Sequence, residues 1–64
     1  MSYAAVQALA LLAERDTLLR RGDGATGRVA VIVGELAVLE VVLTRRDWEW
    51  VWESWRRYAE SRNH

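Results

Sequence analysis

The sequence has no cysteine, no proline and no phenylalanine, and no excess charge of either sign. Without cysteine the chain has neither a disulfide framework nor a thiolate zinc site. Nine basic and nine acidic residues give a formal net charge of zero, so nothing attracts nucleic acid or a membrane surface electrostatically. The 64 residues predict one small domain, residues 1–64.

The sequence also lacks a segment that would span a membrane. The apolar stretch from Val29 to Leu43 contains Glu35 and Glu40, and a spanning helix needs about 20 residues with few charges. The first residues lack the basic region of a secretory signal. We therefore expect a complete small protein with a cytoplasmic location and no membrane partner.

Helix-forming residues dominate what remains. Alanine and leucine fill the first segment, which Ser2 would cap and Gly22 would end. The pattern predicts an all-α fold, a three-helix bundle with helices at about 3–21, 27–44 and 47–61. Residues 22–27 contain three glycines and are expected to form a flexible linker, in which Asp23 or Thr26 would cap the second helix.

The second segment is ambiguous because valine and isoleucine favour strands. The alternative architecture is therefore a helix, a β-hairpin at 28–33/36–43 and a second helix. Two observations favour a helix instead. A hairpin would place Glu40 in a row of valines. In addition, apolar residues recur at the alternating spacing of three and four that is typical of a helical seam, at Val29, Ile32, Leu36, Leu39 and Leu43.

The first two helices carry more apolar surface than three short helices can cover. A helix that is apolar around most of its circumference must be buried on most sides, and a second copy is the simplest cover. We therefore predict a homodimer through helices 1 and 2, with a complex with another protein or a monomer with exposed valines as the alternatives. The predicted self-association residues are Leu11, Leu18, Val31, Gly34, Val38 and Val42.

Residues for catalysis, metal binding or cofactor binding are scarce. The one histidine, His64, is the last residue. Glu35 and Glu40 are five positions apart and point away from each other on a helix, so they are expected to form ion pairs with Arg15, Arg20 or Arg28. The glycines of residues 22–27 match a dinucleotide motif in spacing, yet no strand precedes them. We predict no enzyme activity, no metal, no cofactor and no small-molecule substrate.

The third helix is amphipathic and rich in tryptophan. Trp48, Trp52 and Trp55 share its apolar face and are predicted to lie in the core, whereas Trp50 lies opposite them. An exposed tryptophan beside arginines is typical of a binding hot spot. The predicted partner-binding site is Trp50 with a rim of Arg46, Glu49, Glu53 and Arg57.

The sequence thus favours a non-catalytic small protein-binding module that presents a helical surface to a protein partner. An inhibitor, an adaptor or a regulator would fit, including a phage-type accessory inhibitor of a host system. One alternative is a structural homo-oligomerisation element. The other is a helix-turn-helix-like nucleic-acid binder, which is unfavoured because Asp47 and Glu49 begin the third helix and would repel phosphate.

Overall fold

Three α-helices form the fold. The computed structural model describes residues 2–22 and 27–62, with α1 at Tyr3–Arg20, α2 at Gly27–Val42 and α3 at Arg45–Arg62. The predicted all-α three-helix fold is confirmed. The alternative β-hairpin is wrong, because residues 28–42 are helical, as the three-and-four spacing of their apolar residues predicts.

Both ends of α1 have the signals that the sequence predicts. The hydroxyl of Ser2 accepts a hydrogen bond from the Ala5 amide at 3.2 Å and so caps the first turn. Gly22 ends the helix with φ +81°, a left-handed conformation that glycine adopts without strain. Its amide donates to the Leu19 carbonyl at 3.2 Å.

A reciprocal capping box begins α3. The Asp47 amide donates to Oγ1 of Thr44 at 3.1 Å, and the Thr44 amide donates to Oδ2 of Asp47 at 3.3 Å. Thr44 is therefore the cap, and the helix begins at Arg45, earlier than the sequence pattern predicts. The predicted caps of α2, Asp23 and Thr26, lie outside the described residues.

Both α2 and α3 pack on α1. Arg28, near the start of α2, bonds to Glu14, and Arg62, at the end of α3, bonds to Asp16 at 2.8 Å. Therefore α2 runs antiparallel to α1 and α3 runs parallel to it. In the described part of the chain the backbones of α2 and α3 are not in contact. The three helices form an open slab of 32 × 29 × 14 Å, with α1 between its neighbours.

The core of this slab is small. A compact monomer of 7.4 kDa would expose about 4,200 Å². This chain exposes 4607 Å², about a tenth more. Trp48, Trp50 and Trp55 pack around the core without being fully buried. The buried residues are Ala5, Ala8, Leu11, Leu12, Ile32, Leu43 and Val51.

A core truncation should therefore be costly. Val51 is fully buried, and we expect Val51→Ala to lower the free energy of unfolding by about 2 kcal/mol, through lost burial and a residual cavity. Val6→Ala, on the outward side of α1 at 46% exposure, is the matched control and should change it by less than about 0.5 kcal/mol. Urea unfolding measures both. Equal losses would contradict the packing described.

Candidate interaction surface

Trp50 is half-buried and packs against the core, so its predicted exposure is wrong. The most buried residue of α3 is Val51, and the half-buried arc extends from it towards Trp50. The physical reason is that the close backbone contacts of α3 are with α1, and the helix is rotated to face it. Trp50 is consequently not a free anchor at the centre of an exposed site.

Trp52 is the tryptophan that faces outward, and its predicted place in the core is also wrong. It is 50% exposed and stacks on Trp48, with ring centroids 5.8 Å apart and an interplanar angle of 21°. In a closed bundle this side of α3 would meet α2. Because the described backbones of α2 and α3 stay apart, the ring lies at the edge of an open groove.

The predicted rim of the tryptophan site is exposed, and three of its four members pair along α3. Nη2 of Arg57 donates to Glu53 at 2.8 Å, and Nε of Arg45 lies 3.4 Å from Glu49. Exposed pairs of this kind contribute little to stability. Arg46, the fourth rim residue, is exposed. The rim is thus a solvated helix side next to a tryptophan that points inward.

The outer half of α2 carries half of the exposed large hydrophobic residues found in the described part of the chain. Ile32 is the one residue of this helix that is fully buried. Val41 and Val38 are 87% and 65% exposed. We call the solvent-facing half of the helix the outer face of α2. The face is the arc between Glu40 on one side and Arg28 and Glu35 on the other, so it contains no charged residue, and it comprises Ala30, Val31, Val33, Gly34, Ala37, Val38, Val41 and Val42.

Gly34 lies in the middle of this outer face. No packing contact within the described chain requires a glycine there. A Cβ atom added there would meet no atom of the described residues within 4 Å. Its φ is not positive, so the backbone does not require glycine. Glycine inside a helix costs about 1 kcal/mol relative to alanine. The described fold gains nothing in return for that cost.

The predicted self-association residues divide into two groups. Leu11 is buried inside the fold and Leu18 is half-buried, so α1 offers little of the predicted surface. The assignment of Leu11 to an exposed surface is wrong because α2 and α3 both pack on α1. The remaining predicted residues are exposed on α2, and they are Val31, Gly34, Val38 and Val42.

A groove of about 450 Å³ lies between α2 and α3, with α1 as its floor. Val33 and Ala37 line it and also belong to the outer face of α2, so the two surfaces are continuous. Trp52 is on the opposite wall. The residues that line the groove are Leu12, Arg15, Val33, Leu36, Ala37, Glu40, Trp48 and Trp52.

Two charges in this groove lack a partner. Arg15, which is half-buried, and Glu40, which is exposed, form no hydrogen bond or ion pair with any described residue, including each other. The predicted pairing of Glu40 with Arg15, Arg20 or Arg28 is therefore wrong. Arg20 bonds to Asp16 at 3.0 Å instead, one helical turn away.

Arg28 bonds to Glu14 rather than to Glu35. Its guanidinium donates through Nε and Nη2, the latter at 2.9 Å to Oε1, in a two-pronged pair. This hydrogen bond holds the pKa of the Glu14 carboxyl below its ordinary value and raises the pKa of Arg28. Glu35 adds a smaller charge effect that also raises the pKa of Arg28.

The described residues offer no metal centre, since no three histidine, cysteine, aspartate or glutamate side chains of residues 2–22 and 27–62 gather in one place. His64 lies outside that part of the chain. Among the helices described here, none is long and apolar enough to cross a membrane.

Comparison of the chain with protein-family models, with curated proteins and with solved structures finds no match in any of the three. The outer face of α2 and its groove are therefore the features that indicate a function.

Two glycine substitutions should have opposite effects. With open space at position 34, we expect Gly34→Ala to raise the free energy of unfolding of the single chain by about 1 kcal/mol. Gly22→Ala should lower it by about 1 kcal/mol, because alanine is strained at a positive φ. Urea unfolding extrapolated to low protein concentration measures both. A loss at position 34 would mean that Gly34 has an intramolecular role.

The pair between Glu14 and Arg28 predicts a pH dependence. A lowered pKa in the folded state stabilises the protein above the unfolded pKa, and this contribution is lost as the pH falls through the folded pKa. We expect Glu14→Gln to be slightly less stable than the parent at neutral pH and equal to it in acid. Urea unfolding at both pH values measures this. In an Arg28→Gln background the substitution should have no effect, and a persisting effect would contradict the assignment.

Proposed function

We propose that this chain is a non-catalytic protein-binding module that acts through the outer face of α2. One observation carries the proposal: a helix with a charge-free apolar half buries just one of its residues completely. The 16 residues of α2 make this face about 24 Å long. Its area is in the range of the largest apolar patch on a typical monomer, and such patches are often functional.

Burying this face against a partner would stabilise the resulting complex substantially. Each valine that is more than half exposed would contribute roughly 1–2 kcal/mol when a partner buries it. Val38, Val41 and Val42 are all in this class. Together they supply the apolar centre that protein interfaces have, while Glu35 and Glu40 flank the face as a polar rim.

An inhibitor, an adaptor or a regulator acts by covering a partner's surface, and the proposal includes all three, a phage-type accessory inhibitor among them. A cytoplasmic location is part of it, in keeping with a chain that contains no cysteine. The nucleic-acid alternative has less support, because Arg45 and Arg57 of α3 are paired with Glu49 and Glu53. A structural homo-oligomerisation element has specific support from Gly34, which lets a second backbone approach closely.

Photocrosslinking tests the proposal in cells that produce the protein. Replacing Val38 with p-benzoylphenylalanine places a reactive group on the outer face of α2. Replacing Val6, an exposed valine on α1, gives the matched control. We expect protein adducts from position 38 and few from position 6. Equal adducts at both positions, lipid adducts alone, or none at position 38 would contradict the proposal.

A further inference from the structure

We propose that the partner is a second copy of this chain, docked with two-fold symmetry so that α2 lies antiparallel to α2 and each Arg15 pairs with Glu40 of the other copy. This inference depends on the proposed function, since it names the occupant of the same surface.

The two unpaired charges of the groove, Arg15 and Glu40, restrict which molecule can bind there. Arg15 and Glu40 border an apolar groove without partners among the described residues. Covering an unpaired charge with apolar atoms is costly, so an occupant must bring an anion to Arg15 and a cation to Glu40. A two-fold interface supplies both at once, because whenever residue i meets residue j, residue j meets residue i.

An antiparallel arrangement brings these two charges level with each other. The middle of α2 lies at Gly34 and Glu35, so a two-fold axis there places Glu40 of one copy opposite the start of α2 in the other. The bond between Arg28 and Glu14 fixes the start of α2 beside residues 14 and 15 of α1. Glu40 of the second copy therefore arrives at the level of Arg15. Antiparallel helix dipoles also attract each other.

The shape of α2 suits a second α2. Ala30, Gly34, Ala37 and Val41 follow the alternating spacing of four and three that lines up one side of a helix. Three of these four side chains are no larger than a methyl group, so the two helix axes can approach closely at the two-fold axis. Contact with the second copy then offsets the free energy that glycine at position 34 costs the helix.

The outer face of α2 alone is too small for a stable dimer, so the interface must also include the edge of the groove. Half the surface of a 16-residue helix is about 400 Å². A standard interface buries about 800 Å² of each partner. The outer face of α2 is thus sufficient only together with the groove walls, which are continuous with it through Val33 and Ala37. Docking there brings Arg15 and Glu40 into the interface.

A lipid surface fits this face less well. Helices that lie on membranes carry lysine and arginine beside their apolar face, and these attract anionic headgroups. The outer face of α2 is flanked instead by Glu35 and Glu40, and by one arginine, Arg28, which is already paired with Glu14.

Charge reversal tests the inference with the purified full chain. Sedimentation equilibrium over a dilution series gives the dimer dissociation constant, and circular dichroism confirms that each variant is folded. We expect the unsubstituted chain to dimerise, and Arg15→Glu and Glu40→Arg each to weaken the dimer by about tenfold or more, since each creates two like-charge pairs. The double variant should recover most of the affinity. An equal mixture of the two single variants should form a heterodimer, because both of its cross-pairs are opposite in charge.

A charge-independent variant completes the design. Gly34→Leu adds a side chain in open space, so the single chain should fold while close approach of the two α2 helices is blocked. We expect a folded monomer.

Four outcomes overturn the inference: a monomeric parent chain, single variants that dimerise like the parent, a double variant that does not recover, or a Gly34→Leu dimer of unchanged affinity. If the purified chain is monomeric while Val38 crosslinks to a different protein, the second copy is wrong and the proposed function stands.

Discussion

Every close backbone contact between the described helices involves α1. With α2 on one side of it and α3 on the other, the described backbones of the two outer helices never meet. Each outer helix therefore has one neighbour, and a helix with one neighbour buries about one stripe of its surface. Burial of a single stripe has little consequence for α3, because the side that stays exposed is charged. It affects α2 strongly, because its far side is apolar and becomes the outer face of α2.

Small side chains explain how α1 serves two neighbours. Ala5 and Ala8 are completely buried and let another helix approach closely, while Leu12 fills the space between. Trp48, Trp50 and Trp55 then surround the core, where their large rings cover its edge. Such a core is compact but limited in area, which agrees with a chain that exposes more surface than a closed monomer of its mass.

Two ion pairs hold the outer helices at the same end of α1. Arg28 bonds to Glu14, and Arg62 bonds to Asp16 and lies 5.4 Å from the centre of the Tyr58 ring. Exposed pairs add little free energy, but they show which end of each outer helix lies beside the end of α1. They also leave Arg15, between Glu14 and Asp16 in sequence, without a partner among the described residues. The groove therefore contains one cation, Arg15, that forms no ion pair within the described chain.

The sequence by itself determined the helices, because the signals are local. The serine cap and the glycine at the left-handed position depend on neighbouring residues. The threonine–aspartate capping box is equally local, although the sequence pattern places the start of α3 at 47 and not at Arg45. It also indicated the apolar excess of α2. Tertiary structure decided which side of each helix is covered. A helical wheel fixes the order of side chains but not the rotation of the helix, which depends on the number and position of its neighbours. For that reason Trp50 lies inward, Trp52 outward and Leu11 inside the fold.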